Sequence, residues 1–164
     1  MSAEEQRCAD GWTPDLSVGV EVIDDDHKAF FRLAELLHEV LETPDENTDL
    51  LVETSINILL EYVEGHFRRE EMAMAAVGYP FMAEHVAAHK AFAARAHQIA
   101  QDYRGGNKGV VATLSELVVN WVTGHIKTMD TQYRGILTSE NVDGRPLIFL
   151  TGDDDEEDAD ALDL

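Results

Sequence analysis

The stretch EGHFRREE, at residues 64–71, and the stretch EHVAAHKAF, at residues 84–92, decide how this chain folds. Each stretch carries two side chains with lone pairs four residues apart: His66 with Glu70 in the first, and two histidines in the second. An α-helix turns about 100° per residue, so residues four apart differ by about 40° and project from one face. Both stretches therefore predict a helix with a pair of polar groups on a single face.

Apolar residues recur at helical spacing from residue 24 to residue 137, in four segments separated by helix-breaking residues. The run Asp24–Asp26 is expected to cap the first helix, which ends at Pro44. The other predicted helices run from Asn47 to Gly78, from Pro80 to Gly105, and from about Val110 to Leu137. Four amphipathic helices with short connections predict an all-α fold, an antiparallel up-down-up-down four-helix bundle at residues 24–137.

Outside the bundle the sequence divides into an N-terminal arm at residues 1–23, a C-terminal extension at residues 138–151 and an acidic tail at residues 152–164. Trp12 and the alternating valines that follow it predict that part of the arm packs on the helices. The extension contains a short apolar run, Leu147 to Leu150, which is expected to be strand-like or extended. The tail holds eight carboxylates and no Lys or Arg, which predicts disorder.

The composition restricts the classes of function. Lys and Arg number 12 against 33 Asp and Glu, a net charge of −21, which argues against binding to nucleic acid or to an anionic membrane. No apolar run is long enough to span a membrane, and the polar N-terminus does not resemble a secretory signal. Cys8 is the single cysteine, so no disulfide can form within the chain. The sequence predicts a cytoplasmic protein, and a protein partner would bind at the tail or at residues 138–151.

Histidines also fall on the apolar faces of the first and fourth predicted helices, at His27 and His125, so every helix points at least one lone-pair group into the bundle. A buried polar group without a partner costs about 1–3 kcal/mol. A core does not accumulate this many such groups unless they satisfy one another or bind a metal ion. Their number exceeds the three or four ligands that one zinc ion uses, which indicates two metal ions.

Asp130 is not selected by this argument. It lies five residues after His125, about 140° around an ideal helix, so periodicity alone places it off the apolar face. A carboxylate that bridges two metal ions has to reach sideways and along the helix axis, so a spacing of five residues is tolerable for that role without being predicted.

Four segments of the sequence resemble the hemerythrin family, and specifically its bacterial single-domain members, the bacteriohemerythrins. They are VIDDDHKAFF at 22–31, EGHFRREE at 64–71, EHVAAHKAF at 84–92 and HIKTMDTQY at 125–133. Their order and spacings match those of the family: a lone histidine, then His-x-x-x-Glu, His-x-x-x-His and His-x-x-x-x-Asp. The resemblance covers about residues 12–137, and every ligand position of the family is filled.

The resemblance implies a non-haem di-iron centre, two Fe ions (Fe2+/Fe3+) with a bridging oxo or hydroxo group. By that resemblance His85, His89 and His125 hold one iron, His27 and His66 hold the other, and Glu70 and Asp130 bridge the pair. The iron held by two histidines keeps a coordination position open for dioxygen, which the family binds reversibly. Five neutral imidazoles favour reversible binding over the oxygen activation typical of carboxylate-rich di-iron proteins.

The predicted function is therefore reversible dioxygen binding by a protein that is not an enzyme, for O2 storage, delivery or sensing. The alternatives are a di-iron enzyme, such as a peroxidase, a nitric-oxide reductase or a ferroxidase, and an iron store or scavenger. The O2 pocket is expected to be dry, because water entry promotes autoxidation. Large apolar side chains near the ligands are expected to line it, namely Phe30, Phe67, Phe92, Trp121 and Val122.

Two further histidines and two glycines complete the set of unusual positions. His38 is expected to be a core histidine at the far end of the bundle, or a transient group for iron entry. His97 is expected at the surface or at the boundary of the core. Gly65 and Gly124 each precede a candidate ligand, and a close approach of another segment or a kink would explain a glycine inside a helix.

Overall fold

Four α-helices carry the fold. The structure, a computed structural model, describes residues 11–151, so Cys8 and the acidic tail at 152–164 lie outside the described residues. The helices are α1 (Glu21–Glu42), α2 (Thr48–Val77), α3 (Met82–Arg104) and α4 (Val110–Thr128). Each helix packs on the next and α4 packs back on α1, which confirms the predicted four-helix bundle. None of the helices in the described part of the chain has an apolar stretch long enough to cross a membrane.

Helix α1 begins at Glu21, before the predicted start, so the prediction that the run Asp24–Asp26 caps this helix is wrong. Asp24 lies inside the helix and is buried. Its carboxylate accepts hydrogen bonds from the Val18 N–H at 2.9 Å and from the Ser17 hydroxyl at 2.6 Å. These two bonds fasten the N-terminal arm to the helix that follows it.

The arm packs on the bundle through its apolar residues, as the sequence predicts. Leu16, Val18 and Val20 are buried in the common core. Trp12 is partly buried, and the Lys28 ammonium lies 4.3 Å from the centroid of its ring. The described part of the arm therefore shares one hydrophobic core with the helices.

Helix α4 ends at Thr128, well before the predicted end at Leu137. A 3₁₀ helix, Asp130–Tyr133, follows it, and Met129 between the two has a φ of −119° and a ψ of −55°. The Gln132 side-chain amide donates to the Thr128 carbonyl at 2.5 Å and satisfies one of the acceptors that the helix end leaves free. The chain therefore leaves the α-helical register just before the first residue of the 3₁₀ helix.

Residues 138–151 form turns and a short 3₁₀ helix, Leu147–Phe149, so the expectation of a strand-like or extended segment is wrong. The segment packs on α2, where Gly65 provides room. A Cβ at Gly65 would lie 3.1 Å from the Leu147 Cβ and 3.2 Å from the Leu147 carbonyl oxygen. At Gly124 a Cβ would meet nothing within 4 Å, so close approach explains only the first of these two glycines.

Two histidines lie away from the core. His38 is exposed, and its Nε2 is 3.0 Å from Glu42 Oε1 on the surface of α1, so the expectation of a core histidine is wrong. Its neighbour Leu37 takes the core position instead and is fully buried. His97 is exposed, as the sequence predicts.

Candidate metal centre

All four helices contribute to one buried cluster of histidines and carboxylates. Helix α1 supplies His27, α2 supplies His66 and Glu70, α3 supplies His85 and His89, α4 supplies His125, and the 3₁₀ helix after α4 supplies Asp130. Their exposed fractions lie between 0% and 7%. The structure thus brings together every residue that the sequence predicts as a metal ligand.

The cluster divides into two groups of potential ligand atoms that share one carboxylate. The three-histidine group consists of Glu70, His85, His89, His125 and Asp130. The two-histidine group consists of His27, His66 and Glu70. Within each group the potential ligand atoms lie within 4.8 Å of one another, close enough for each group to surround one ion.

Glu70 reaches both groups with its two oxygens. Its Oε1 lies 3.6 Å from His27 Nε2 and 3.3 Å from His66 Nε2. Its Oε2 lies 3.3 Å from His85 Nε2 and 3.1 Å from His89 Nε2. The carboxylate therefore spans the space between the two groups, which is the arrangement that a bridging ligand requires.

Asp130, in the 3₁₀ helix after α4, spans the same space between the two groups. Its Oδ2 lies 3.1 Å from His27 Nε2, and its Oδ1 lies 3.0 Å from the Nε2 atoms of both His85 and His125. Ideal α-helical geometry places this residue off the apolar face, but α4 ends at Thr128. The change to a 3₁₀ helix explains how a carboxylate five residues after His125 reaches the core.

The spacing of the atoms fits metal coordination. Ligands at about 2.1 Å from one ion and at right angles to each other lie about 3 Å apart. The Nε2 of His125 lies 3.0 Å from that of His85 and 3.2 Å from that of His89. Three buried carboxylate oxygens, Glu70 Oε2 and both oxygens of Asp130, have no hydrogen-bond donor in suitable geometry. Such atoms are costly to bury unless a cation binds them, so the residues present fit a pair of metal ions.

Two carboxylates hold histidine rings from the outside. Asp26 Oδ2 accepts a hydrogen bond from His66 Nδ1 at 2.9 Å, and Glu71 Oε1 accepts one from His89 Nδ1 at 3.0 Å. A ring that donates through Nδ1 keeps the lone pair of Nε2 free for a metal. Sequence analysis missed both roles, since it treated Asp26 as a helix cap. The available indication was that Asp26 directly precedes one candidate ligand, His27, and Glu71 directly follows another, Glu70.

Arg69 extends this set of contacts. It is 1% exposed, and its Nε donates to Asp26 Oδ2 at 2.9 Å, so one oxygen accepts from both the arginine and His66. Its Nη1 donates to the backbone carbonyl of Asp143. Helical spacing gives no indication of this role, because the partner carbonyl lies in the extension, far along the chain.

Tyr133 is a second residue that sequence analysis missed. Its hydroxyl donates to Glu70 Oε1 at 2.8 Å, and its ring stacks on His85 with a centroid distance of 5.9 Å. The side chain is fully buried, and burial raises the pKa of the Tyr133 hydroxyl well above its ordinary value. The tyrosine therefore remains a hydrogen-bond donor to the carboxylate at neutral pH.

The histidines of the metal-free cluster differ in charge. Burial lowers the pKa of His66, but the carboxylates of Glu70 and Asp26 outweigh it and raise the pKa to about 10. Burial also lowers the pKa of His85, but the nearby carboxylates of Asp130 and Glu70 raise it to about 9. For His125, burial prevails and its pKa is lowered. Metal binding must therefore displace protons from at least two of the rings.

Both shared carboxylates are ionised at neutral pH. Burial acts to raise the pKa of Glu70, but the charge of His66 and the other imidazoles close to the carboxylate hold that pKa well below its ordinary value. Burial and the charge of Glu70 act to raise the pKa of Asp130, but the imidazoles of His125 and His27 close to it lower that pKa overall. Each carboxylate is thus in the form that a metal ligand requires.

A small cavity of about 10 Å³ borders the two-histidine group. Both histidines of that group, His125 and Asp130 line it on the polar side. Its apolar lining consists of Phe30, Phe67, Trp121, Val122 and Ile126. Phe92 is not in the lining, contrary to the prediction: its ring stacks on Trp121 at a centroid distance of 4.1 Å, one layer away. The other four residues predicted for the pocket do border the cavity.

Comparison with known proteins agrees with this geometry. The model of the hemerythrin family, described as a hemerythrin HHE cation binding domain, matches residues 18–137. A bacteriohemerythrin of Pseudomonas paraeruginosa is 30% identical over 122 residues, which cover 74% of this chain and 77% of that protein. Hemerythrin subunit 2 of Golfingia vulgaris is 32% identical over 125 residues, which cover 76% of this chain and 90% of that protein.

The likeness extends to three dimensions. A solved structure described as the crystal structure of wild-type hemerythrin superimposes with a TM-score of 0.69 at 27% sequence identity, and the match covers 77% of this chain and 95% of the other. The buried cluster of histidines and carboxylates is suited to a di-iron site. The resemblance carried by the four sequence segments is confirmed, and the chain belongs to the hemerythrin family.

Proposed function

We propose that this chain binds dioxygen reversibly at a pair of iron ions and serves to store or deliver it. The observation that supports the proposal most is the asymmetry of the cluster: three imidazoles belong to one group and two to the other, while both carboxylates reach both groups. An ion held by the two-histidine group has fewer protein ligands. It therefore keeps a coordination position for a small ligand from outside.

The proposal assigns a role to each member of the cluster. His85, His89 and His125 hold one iron, His27 and His66 hold the other, and Glu70 and Asp130 bridge them. Imidazole and carboxylate groups are both suitable ligands for iron. When bound, two ferrous ions supply the two electrons that dioxygen takes up on binding. The Nδ1 bonds of His66 and His89 keep their Nε2 atoms available to the metal.

The size and lining of the cavity support a diatomic ligand. A volume of about 10 Å³ is enough for about one water-sized molecule and far too small for an organic substrate. Phe30 and Val122 are buried and present apolar surface to the cavity. A dry apolar wall beside the two-histidine group protects a bound ligand from the water and protons that promote its loss.

The composition of the cluster favours a carrier over an enzyme that activates oxygen. Di-iron proteins of the ferritin-like class are built mainly from glutamates, with a histidine from each of two helices. Here five imidazoles and two carboxylates converge. Fewer negative ligands stabilise high-valent iron less, which favours release of dioxygen unchanged. The relatives whose names are bacteriohemerythrin and hemerythrin support the same proposal.

An oxygen-binding isotherm tests the proposal. Metal analysis of the iron-loaded protein should give about two irons per chain, and the reduced protein should bind about one O2 per pair of irons. Evacuation should restore the reduced spectrum over repeated cycles. Immediate conversion to the diferric form without recovery would indicate a ferroxidase or peroxidase. Iron well above two per chain would indicate an iron store, and either result would contradict the proposal.

A further inference from the structure

A buried arginine links the two-histidine group to the C-terminal extension. Asp26 Oδ2 accepts hydrogen bonds from both Arg69 Nε and His66 Nδ1, each at 2.9 Å. We infer that Arg69 is a positioning residue for His66, through which residues 138–151 help to set the properties of the two-histidine group. The inference rests on the proposed role of His66 as a metal ligand.

The far end of Arg69 is held by the extension. Its Nη1 donates to the backbone carbonyl of Asp143, a residue beyond the part of the chain that the family model matches. The Asp143 carboxylate accepts from the Arg145 backbone N–H at 3.0 Å and from its guanidinium at 2.8 Å, which fixes the turn that presents the carbonyl. A local structure specific to the extension therefore determines where the guanidinium of Arg69 lies.

The extension is seated firmly next to His66. Leu147 packs against the backbone of α2 at Gly65, where an added Cβ would lie only 3.1 Å from the Leu147 Cβ. Leu150, three residues further, is 1% exposed. The segment thus touches α2 at the residue directly before the ligand, in addition to its bond with Arg69.

Because Arg69 and His66 share one oxygen of Asp26, the arginine affects His66 as a metal ligand. A carboxylate that accepts from Nδ1 of an imidazole makes the Nε2 a stronger donor to a metal ion. The guanidinium of Arg69 donates to the same oxygen of Asp26 and thereby holds that carboxylate in place beside His66. Asp26 and Arg69 also line a cleft of about 630 Å³ between the extension and the helices. Loss of the guanidinium would leave the Asp26 carboxylate free to turn away from His66 Nδ1, and the His66 ring would lose its fixed orientation toward the metal.

The test compares Arg69→Met with Arg69→Lys in the full chain, loaded with Co2+ as the probe ion. The measured quantity is the rate at which a chelator removes each of the two ions, together with the position of the exchangeable His66 Nδ1 proton signal in NMR spectra. Loss of an outer hydrogen-bond partner typically costs 10- to 100-fold in metal affinity. In Arg69→Met one ion should leave 10- to 100-fold faster, the other should change less than about 3-fold, and the His66 signal should shift.

Arg69→Lys keeps the positive charge and a donor, so it should restore most of the slow release. If both ions leave faster to the same extent, in step with a lower melting temperature and with an unshifted His66 signal, Arg69 is merely structural and the inference is overturned. The readout does not involve dioxygen. A chain that fails to bind O2 but releases one ion selectively would overturn the proposed function and support this inference.

A pair of glycine variants tests the extension without touching Arg69. Gly65→Ala introduces a methyl group against Leu147, whereas Gly124→Ala places one where nothing lies within 4 Å. Both glycines directly precede a candidate ligand, so each variant controls for the other. Gly65→Ala should speed release of the same single ion several-fold and shift the His66 signal, and Gly124→Ala should do neither. Equal behaviour of the two variants would show that the extension has no such role.

Discussion

The two groups of the metal cluster are protected in different ways. Each histidine of the three-histidine group has an aromatic ring stacked on it: Phe67 on His89 at a centroid distance of 3.8 Å, Trp121 on His125 at 4.3 Å, and Tyr133 on His85 at 5.9 Å. His27 and His66 meet each other edge to face at 4.8 Å and border the small cavity. A stacked ring thus covers each histidine of the three-histidine group, whereas both histidines of the other group border the cavity.

The carboxylates that accept hydrogen bonds from the histidines also differ between the two groups. His66 is linked through Asp26 to a fully buried arginine, whereas His89 is held by Glu71, a side chain with 31% of its surface exposed. A buried charged partner is costly to disturb, and a partly exposed one is screened by water. The difference suggests that orientation and electron donation are controlled most tightly at the two-histidine group, where the exogenous ligand would bind.

The largest effect is expected for the residue that belongs to both groups. Glu70→Gln keeps the shape of the side chain but removes the charge that both ions share. Because the amide cannot bridge two cations with two anionic oxygens, metal content should fall from about two ions per chain to below one. Metal analysis after dialysis against a weak chelator measures this.

Glu71→Gln is the matched control for Glu70→Gln. It changes the adjacent residue of α2 in the same chemical way, but Glu71 reaches only the outer nitrogen of His89. This variant should keep both ions. If Glu70→Gln also keeps two tightly bound ions, the two groups do not depend on a shared carboxylate, and the comparison between them fails.

Removal of the metal should destabilise the fold in two steps. Ions that bind only the folded state stabilise it by about 4 kcal/mol when their free concentration is 1,000 times the dissociation constant. The ion of the two-histidine group should leave first, because it has fewer protein ligands. Chelator titration followed by thermal unfolding should therefore show a stable one-ion form before the metal-free form. An identical melting temperature with and without metal would contradict the proposal of a metal centre.

The sequence predicted the cluster because its members are repeated at helical spacings. His66 with Glu70, and His85 with His89, follow directly from the 3.6-residue period of a helix. Asp130 did not follow, because its position depends on the end of α4 at Thr128, which no proline or glycine marks. The family resemblance supplied this residue where periodicity placed it on the wrong face.

The errors of prediction concentrate at the ends of elements and in contacts distant along the chain. The third helix is predicted to start at Pro80, but α3 begins only at Met82, and Phe81 between them is 54% exposed. The bond between Arg69 and Asp143 joins residues that no local pattern relates. Local periodicity specifies which face of a helix is buried, whereas contacts of this kind depend on how complete segments pack.

Truncation of a side chain in the cavity wall should admit water to the two-histidine group more than to the three-histidine group. Trp121→Ala removes a ring that lines the cavity and stacks on His125. Solvent then reaches the two-histidine side, so the oxygenated form should autoxidise about 10-fold faster. Decay of the oxygenated spectrum at fixed O2 pressure measures the rate. Phe92→Ala removes a ring that lies one layer behind and should have a smaller effect; equal rates in all three proteins would exclude a role for the wall.

Both groups should release protons when they bind metal ions. In the metal-free protein the pKa of His66, in the two-histidine group, is raised to about 10, and that of His85, in the three-histidine group, to about 9. The stabilisation by these charged rings is complete below an unfolded pKa of about 6.5 and is lost as pH rises through 9 to 10. Metal binding at pH 7 should therefore release about one proton per ion, measurable with a pH indicator during Zn2+ titration. Release of clearly fewer than two protons per chain would contradict this charge distribution.

A single hydrogen bond is at stake at Tyr133, a side chain that contacts both groups. Tyr133→Phe keeps the ring on His85 but removes the hydroxyl that donates to Glu70 Oε1, the oxygen that faces His27 and His66. A hydrogen bond of this kind is worth about 1–3 kcal/mol. Because only the open side of the carboxylate loses a partner, the ion of the two-histidine group should bind about 10-fold more weakly, and the other ion should be unaffected. Stepwise Co2+ titration resolves the two affinities. If the affinities for both ions fall equally, Tyr133 supports the Glu70 carboxylate as a whole, and the two groups respond as one unit.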